Sequence, residues 1–306
     1  MTDFQSIDER LYGELAVGKT AFLPLPDRAV WKVTGEDRVR YLNGQVTNDV
    51  SKLSVGTSQY AAVLTGKGKI VGDLFLAALP DALLLDAPLE LRETLRERFE
   101  KFLIADDVIF EDLTGTGFLT HCFGAALPDV DADAGDVASA NRRFGLPGFD
   151  LWRSGAESAV LRDGPVIGAA EAEAFRIEHA IAAWGREIDG NSLPQEVLLD
   201  VNRRGLSYEK GCYVGQETVA RIRSIGHVNR KIVFLEQTAG PSALGAAPFP
   251  LQAADGAEAG RITSIAFSPH AGGEVALAMV GRNYFGIGIE LVAGERRYRV
   301  APPSRQ

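Results

Sequence analysis

After Lys231 the chain changes its period, and that change constrains the fold more than any other feature. KIVFLEQ, GRITSIAF, EVALAMVGR, FGIGIELV and RRYRV are short apolar runs parted by Gly, Pro and Ser. This spacing predicts a small all-β unit and a boundary near Arg230, dividing residues 1–230 from 231–306.

The first part mixes periods. Ile7, Leu11 and Leu15 recur at helical spacing over Phe4–Leu15, and short strands are expected at Phe22–Leu25 and Ala29–Val33. Gly35-Glu36-Asp37 opens a helix through Val39, Tyr41 and Leu42. Gln59–Leu64 and Ile70–Leu79 read as a hairpin turned at TGKGK, with a further strand at Leu83–Asp86. Leu91, Leu95, Phe99, Phe102 and Leu103 stripe a charged helix from Pro88 to Ile104. Strands follow at Val108–Leu113 and Phe118–Phe123, then an Ala/Asp/Gly-rich loop or weak helix at 124–140. Glu171–Gly185, with Ile177, Ile181 and Trp184 on one stripe, predicts a helix stopped by Gly185.

The formal net charge of −9 argues against a general nucleic-acid coat. The N-terminus, MTDFQSIDER, is polar and does not read as a signal peptide. No apolar run approaches the roughly 20 residues that span a bilayer. A cytoplasmic protein is the expectation. Cys122 and Cys212 are the only cysteines and form neither a disulfide framework nor a metal cluster. His121, His179, His227 and His270 fall at no chelate spacing, so no metal site is expected.

GELAVGKT, Gly13 to Thr20, matches the phosphate-loop pattern letter for letter. That chemistry needs a strand before the loop and a helix after it. Here an amphipathic helix precedes the stretch, and Pro24 and Pro26 oppose a helix after it. It reads as a helix end at Gly18.

YEKGCYVGQETVARI, Tyr208 to Ile222, holds more chemistry. Gly211 and Gly215 bracket Cys212-Tyr213-Val214 and permit a tight backbone path. QETVARI reads as a helix with Val219 and Ile222 on one face. A cysteine just before a helix start, with Lys210 near it, favours the thiolate form; a buried packing cysteine is the alternative. From Arg203 to Lys231 seven basic residues meet only Glu209 and Glu217, a local anion-attracting field for carboxylates or phosphates. On the helix expected at Glu171–Gly185, Glu178 lies about 100° from Ile177, at the border of the apolar stripe. A carboxylate there could accept from a heterocycle's N–H groups, or be an ordinary exposed glutamate.

KGCYVGQE resembles the K-G-C-[FY]-x-G-Q-E signature of the YgfZ family, folate-binding relatives of the glycine-cleavage T-protein, an aminomethyltransferase. VTGEDRVRYLNGQVTNDV is similar to that family's N-terminal motif. FRIEHAIAAWGREIDGNSLPQE resembles the R-x-E-x-G-like helix of T-proteins, and GRITSIAFSP with EVALAMV resembles the barrel motif. The resemblance spans nearly the whole chain.

It implies an α+β, T-protein-like fold, with two intertwined α/β subdomains and a C-terminal β-barrel around a central cleft that binds tetrahydrofolate. It implies a role in assembling or repairing iron–sulfur clusters in client enzymes, some of which modify tRNA. Cys212 is then the working residue, within a motif of Lys210, Gly211, Tyr213, Gly215, Gln216 and Glu217. Glu178 becomes the pterin contact, with Arg221, Arg223, Asn43 and Gln45 expected around the folate. Where T-proteins carry Gly-Gly-x-x-Asp-Asp, this chain has GKIVGDL, with Gly72 at the first acid's place. Asp73, displaced by one strand residue, is expected on the other face, which argues against one-carbon transfer by that route. Two further readings stay open. One is a true folate-dependent aminomethyltransferase. The other is a module that docks tRNA or a protein through the basic segment.

Overall fold

The computed structural model describes residues 8–124, 135–155, 165–201, 204–242 and 247–303. Helix α1 (Glu9–Ala16) starts at Asp8, whose carboxylate accepts from Leu11 N at 3.0 Å, an N-cap that satisfies an orphan donor. The expected start at Phe4 lies outside the described residues. Strand β1 (Ala21–Pro24) follows. GELAVGKT therefore runs from helix to strand, the reverse of a phosphate loop, with Gly18 in the left-handed region at φ 88°.

Next come β2 (Arg28–Thr34), α2 (Arg38–Gln45), β3 (Ser58–Leu64), β4 (Ile70–Ala78), β5 (Leu83–Pro88), α3 (Arg92–Phe102) and β6 (Ile109–Asp112). The strands form one antiparallel sheet in the order β3-β4-β5-β2-β6. Its one face buries Val33, Val63, Leu74 and Leu85 against Tyr41 and Leu42 of α2 and Leu95 and Phe99 of α3. Each such side chain contributes about 1.5–3 kcal/mol. A Cβ on Gly72 would stand 3.0 Å from Leu91 and from Leu95, so position 72 points at α3. Asp73 must therefore point to the opposite face.

Strands β7 (Gly117–Phe123), β8 (Val137–Asn141) and β9 (Gly148–Ser154) join β1 in a second antiparallel sheet, order β1-β7-β9-β8. The end of the region expected as loop or weak helix is thus strand β8; residues 125–134 lie outside the described ones.

Helix α4 (Ala169–Glu178) is shorter than the expected Glu171–Gly185. Ala180 turns to φ 48°. Arg176 Nη1 donates to Ile181 O at 2.6 Å, and Glu187 Oε2 accepts from Ala183 N at 3.1 Å. Side chains take over the main-chain bonding that would have continued the helix. Helix α5 (Gln216–Ser224) follows the cysteine segment and buries Val219.

Strands β10 (Arg230–Ala239), β11 (Phe249–Ala253), β12 (Glu258–Ser268), β13 (Gly273–Gly281), β14 (Glu290–Ala293) and β15 (Arg296–Ala301) close into a barrel, order β10-β13-β12-β11-β14-β15. Closure removes the unpaired edges an open sheet would present. Leu235, Leu251, Ile262, Leu291 and Tyr298 fill it. Phe175 and Ile177 of α4 pack on Ala266 and Leu277 outside it. Among the described residues no helix is long and apolar enough to cross a membrane.

Candidate functional site

A cavity of about 740 Å³ opens where the two sheets and the turn after α4 meet. Strands β3 and β4 supply Ser58, Gln59, Tyr60, Asp73 and Phe75. The end of β8 and the turn beyond it supply Asn141 to Gly145, and the turn after α4 supplies His179 to Trp184. Arg28, Asn48 and Arg204 complete the parts used below.

Tyr60 OH donates to Asp73 Oδ2 at 2.8 Å, while Asp73 Oδ1 is buried without a partner among the described residues. Burial raises the Asp73 carboxyl above the usual range, and the Arg28 charge only partly offsets it. Asp73 thus lies on the face opposite Gly72, as the one-residue displacement requires, and that face lines the cavity while Gly72 packs on α3. A buried acid of this kind can exchange a proton with a bound ligand. Ser58 Oγ, Gln59 Nε2 and Asn141 Nδ2, from residues on the same lining, are also buried and unpaired among the described residues. Buried polar atoms without partners are costly, and a cluster of them on a cavity is the mark of a ligand.

The cavity is also cationic. Arg204 gives its guanidinium to Ala180 O and His179 O, each at 3.0 Å, and Arg142 Nη2 donates to Gly145 O at 2.9 Å. Neither has a carboxylate partner among the described residues. Arg143 lies 3.8 Å over the Phe75 ring. It is held from behind by Asp150, with Nη2 at 2.5 Å, and by Asp86 at 2.8 Å. Asp86 also binds Arg28 at 2.6 Å, and Asp150 accepts from His121 Nδ1 at 2.8 Å. Burial opposes the charge on Asp150, but Arg143 and then His121 outweigh it and hold the carboxyl far below its usual range. Burial lowers the His121 pKa, and Asp150 only partly offsets it.

The residues expected around the folate are not on this lining. Glu178, the last residue of α4, is fully buried, is not on the lining, and accepts from Ser268 Oγ of β12. Its Oε2 is unpaired among the described residues. Asn43 accepts from Val50 N at 2.9 Å and Gln45 accepts from Arg98 at 2.9 Å, both on the α2 side. Arg221 and Arg223 are exposed on α5, Arg223 over the Tyr208 ring. None of these four lines the cavity. Sequence reasoning instead missed Tyr60 and Arg143, whose only signal was a polar or charged residue near apolar strand positions, whereas Arg204 belongs to the basic cluster singled out from the sequence.

Cys212 is exposed, whereas Cys122 is buried, with its thiol pushed up to about 12 by burial. Cys212 lies three residues before Gly215, which caps α5 in the left-handed region at φ 87°. A Cβ on Gly215 would strike Thr65 O at 2.6 Å, so the glycine is required there. Gly211 has open space around it, so no close approach explains that glycine. Tyr213 is buried, and Gln216 N returns to its carbonyl at 3.2 Å; Glu217 is exposed in the first turn of α5. Lys210 does not serve the thiol as expected. Its ammonium donates to Asn43 O at 2.5 Å, Val46 O at 2.8 Å and Asn48 O at 2.7 Å. Burial lowers its pKa to about 8, with Asp49 partly offsetting. Of the basic cluster, Arg203 lies outside the described residues, and Arg230 is paired with Glu196 at 3.2 Å.

This combination of two sheets, a closed barrel and a cavity between the sheets defines a T-protein-like fold. The chain superposes on the crystal structure of glycine cleavage system aminomethyltransferase T from Bartonella henselae with a TM-score of 0.79. That match covers 97% of this chain and 88% of that one at 21% identity, a likeness of fold. No family model matches the chain. Among curated proteins it is 29% identical over 231 residues to the tRNA-modifying protein YgfZ of Cronobacter sakazakii, covering 70% of each. It is 27% identical over 288 residues to an aminomethyltransferase of Herpetosiphon aurantiacus, covering 85% of this chain and 78% of that protein. It is 28% identical over 226 residues to the mitochondrial iron-sulfur cluster assembly factor IBA57 homolog of Mycosarcoma maydis. There 68% of this chain matches 55% of the relative, so it spans about half of that protein's length. The fold is thus that of the T-protein, and the relatives the chain resembles in sequence are YgfZ, IBA57-homolog and aminomethyltransferase proteins.

Proposed function

We propose that this chain binds tetrahydrofolate in the cavity and supports assembly or repair of iron–sulfur clusters in client enzymes, with Cys212 as the working thiol. The cavity carries this reading. Its lining joins unpaired buried polar atoms at Ser58, Gln59, Asp73 and Asn141 to the aromatic faces of Tyr60, Phe75 and Trp184. A pterin offers N–H donors, acceptors and a flat face. The folate tail carries carboxylates, which suit Arg142 and Arg204. Asp73 Oδ1 is the acceptor on the lining for ring N–H groups, and Glu178 Oε2, buried one residue before His179, would serve only if the turn after α4 shifts on binding. When bound, the folate would supply one-carbon chemistry; the residues named here would hold and orient it. Cys212 is exposed and is not on the cavity lining, so client and folate need not compete for one surface.

Titration with tetrahydrofolate tests the ligand. Saturable binding is expected, weakened by Glu178→Ala if the unpaired Oε2 meets the heterocycle and unchanged if Asp73 alone does; absence of binding to the wild type overturns the folate assignment. Loss of client iron–sulfur activity in a folded Cys212→Ser protein tests the thiol.

A second reading, folate-dependent aminomethyl transfer, is favoured by one observation, the position of Asp73 on the lining. Formation of methylenetetrahydrofolate by the purified protein with a glycine-cleavage carrier would establish it.

A further inference from the structure

The carbonyls of Asn43, Val46 and Asn48 converge where helix α2 ends, and α2 has no basic residue in its own last turn. Carbonyls at a helix C-terminus lack intrahelical partners and carry the negative end of the dipole. The cation that meets them is Lys210, 162 to 167 residues away in sequence and 7% exposed. All three ammonium hydrogens are thereby used, the full donor capacity of a lysine.

This bond set is part of a longer seam. Ser207 N donates to Thr47 O at 3.0 Å, Thr47 Oγ1 to Gly205 O at 2.6 Å, and Val214 N to Gly44 O at 3.2 Å. Lys210 sits midway, so the loop is pinned on both sides of the exposed Cys212. The seam also reaches the cavity. Asn48, whose carbonyl binds Lys210, lines it, and its side-chain amide donates to Tyr60 O at 2.9 Å.

We propose that Lys210 is a positioning residue for Cys212, clamping the thiol-bearing loop to the end of α2 and to the cavity wall at Asn48. The lysine and cysteine of the motif then work in sequence rather than side by side. The lysine fixes the backbone, and the exposed thiol lies two residues on. The inference rests on Cys212 being the working group, but the clamp itself is measurable without folate or client.

The test is Lys210→Met, which keeps the side chain's length and removes its donors, followed by amide hydrogen exchange. Exchange at Val214 and Ser207 should rise at least about tenfold, while barrel amides such as Leu277 keep wild-type rates. Client activity should fall toward the level of Cys212→Ser, with tetrahydrofolate affinity within about twofold of wild type. A stability-matched barrel variant, Val233→Ala, should leave both exchange at Val214 and client activity unchanged. Wild-type exchange at Val214 and Ser207 in the Met variant overturns the clamp, as does equal loss in the barrel control. If Lys210→Met does not fold, Lys210→Arg decides by the same readout, because a planar guanidinium cannot meet three carbonyls converging on one point. A fully active Cys212→Ser protein would remove the proposed function and leave the exchange result to judge the clamp.

Discussion

Tyr60 and Asp73 face each other from neighbouring strands on the cavity lining, the phenol donating to one carboxylate oxygen at 2.8 Å while the other is buried without a partner among the described residues. If that oxygen serves the folate, Asp73→Asn will weaken tetrahydrofolate binding about tenfold or more, since a hydrogen bond to a charged group is worth about 1.5–3 kcal/mol. Tyr60→Phe should cost less. Calorimetric titration checks both, and unchanged affinity in Asp73→Asn would move the heterocycle elsewhere.

Arg143 should be among the chain's most sensitive positions. It neutralises Asp150 and Asp86 in the interior. Removing one partner of a buried ion pair costs about 3–5 kcal/mol because the remaining charge is stranded. Arg143→Met is expected to lose stability on that scale in urea unfolding, whereas Arg221→Met, on exposed α5, should stay within about 0.5 kcal/mol of wild type.

The same network sets an acid limit. His121 has a lowered folded pKa, so the unfolded chain binds more protons below the ordinary histidine value, and stability falls as pH drops below about 6.5. Asp150 is also depressed; its contribution is present above about 3.8 and is lost as pH falls further. His121→Phe should flatten the stability profile between roughly pH 6.5 and 5 and leave the lower descent in place. A wild-type profile flat over that range would contradict the assignment.

Thiol labelling should distinguish the two cysteines. In the native protein near pH 7.5, iodoacetamide should modify the exposed Cys212 and spare Cys122, which is buried with a thiol pushed up to about 12. Peptide mapping reads the result. Cys122 should react only on unfolding.

The barrel was legible because its strands alternate and its turns are marked. Strand β9 escaped notice because GFDLWRS buries a charge, Asp150, whose partners Arg143 and His121 come from elsewhere in the chain. Helix α4 was overrun because the alanines continue past Glu178, and only the tertiary bonds of Arg176 and Glu187 say where it stops. Cys212 could be singled out from its neighbours. The role of Lys210 could not, because adjacency suggested the thiol, and its actual partners are carbonyls that any residue type would supply. The cavity was least visible, since its polar lining is drawn from many separate stretches of chain.

Ser264 and Ser268 of the barrel reach into the other half of the molecule. One accepts from Arg176 and donates to Glu187, and the other donates to Glu178. A chimera that exchanged the barrel for a relative's would therefore import new partners for three buried ionised or ionisable groups. Grafting would succeed only when hydroxyls at these two positions travel with the donor barrel, so the seam between the halves is inherited as a unit even where the strands around it are free to drift.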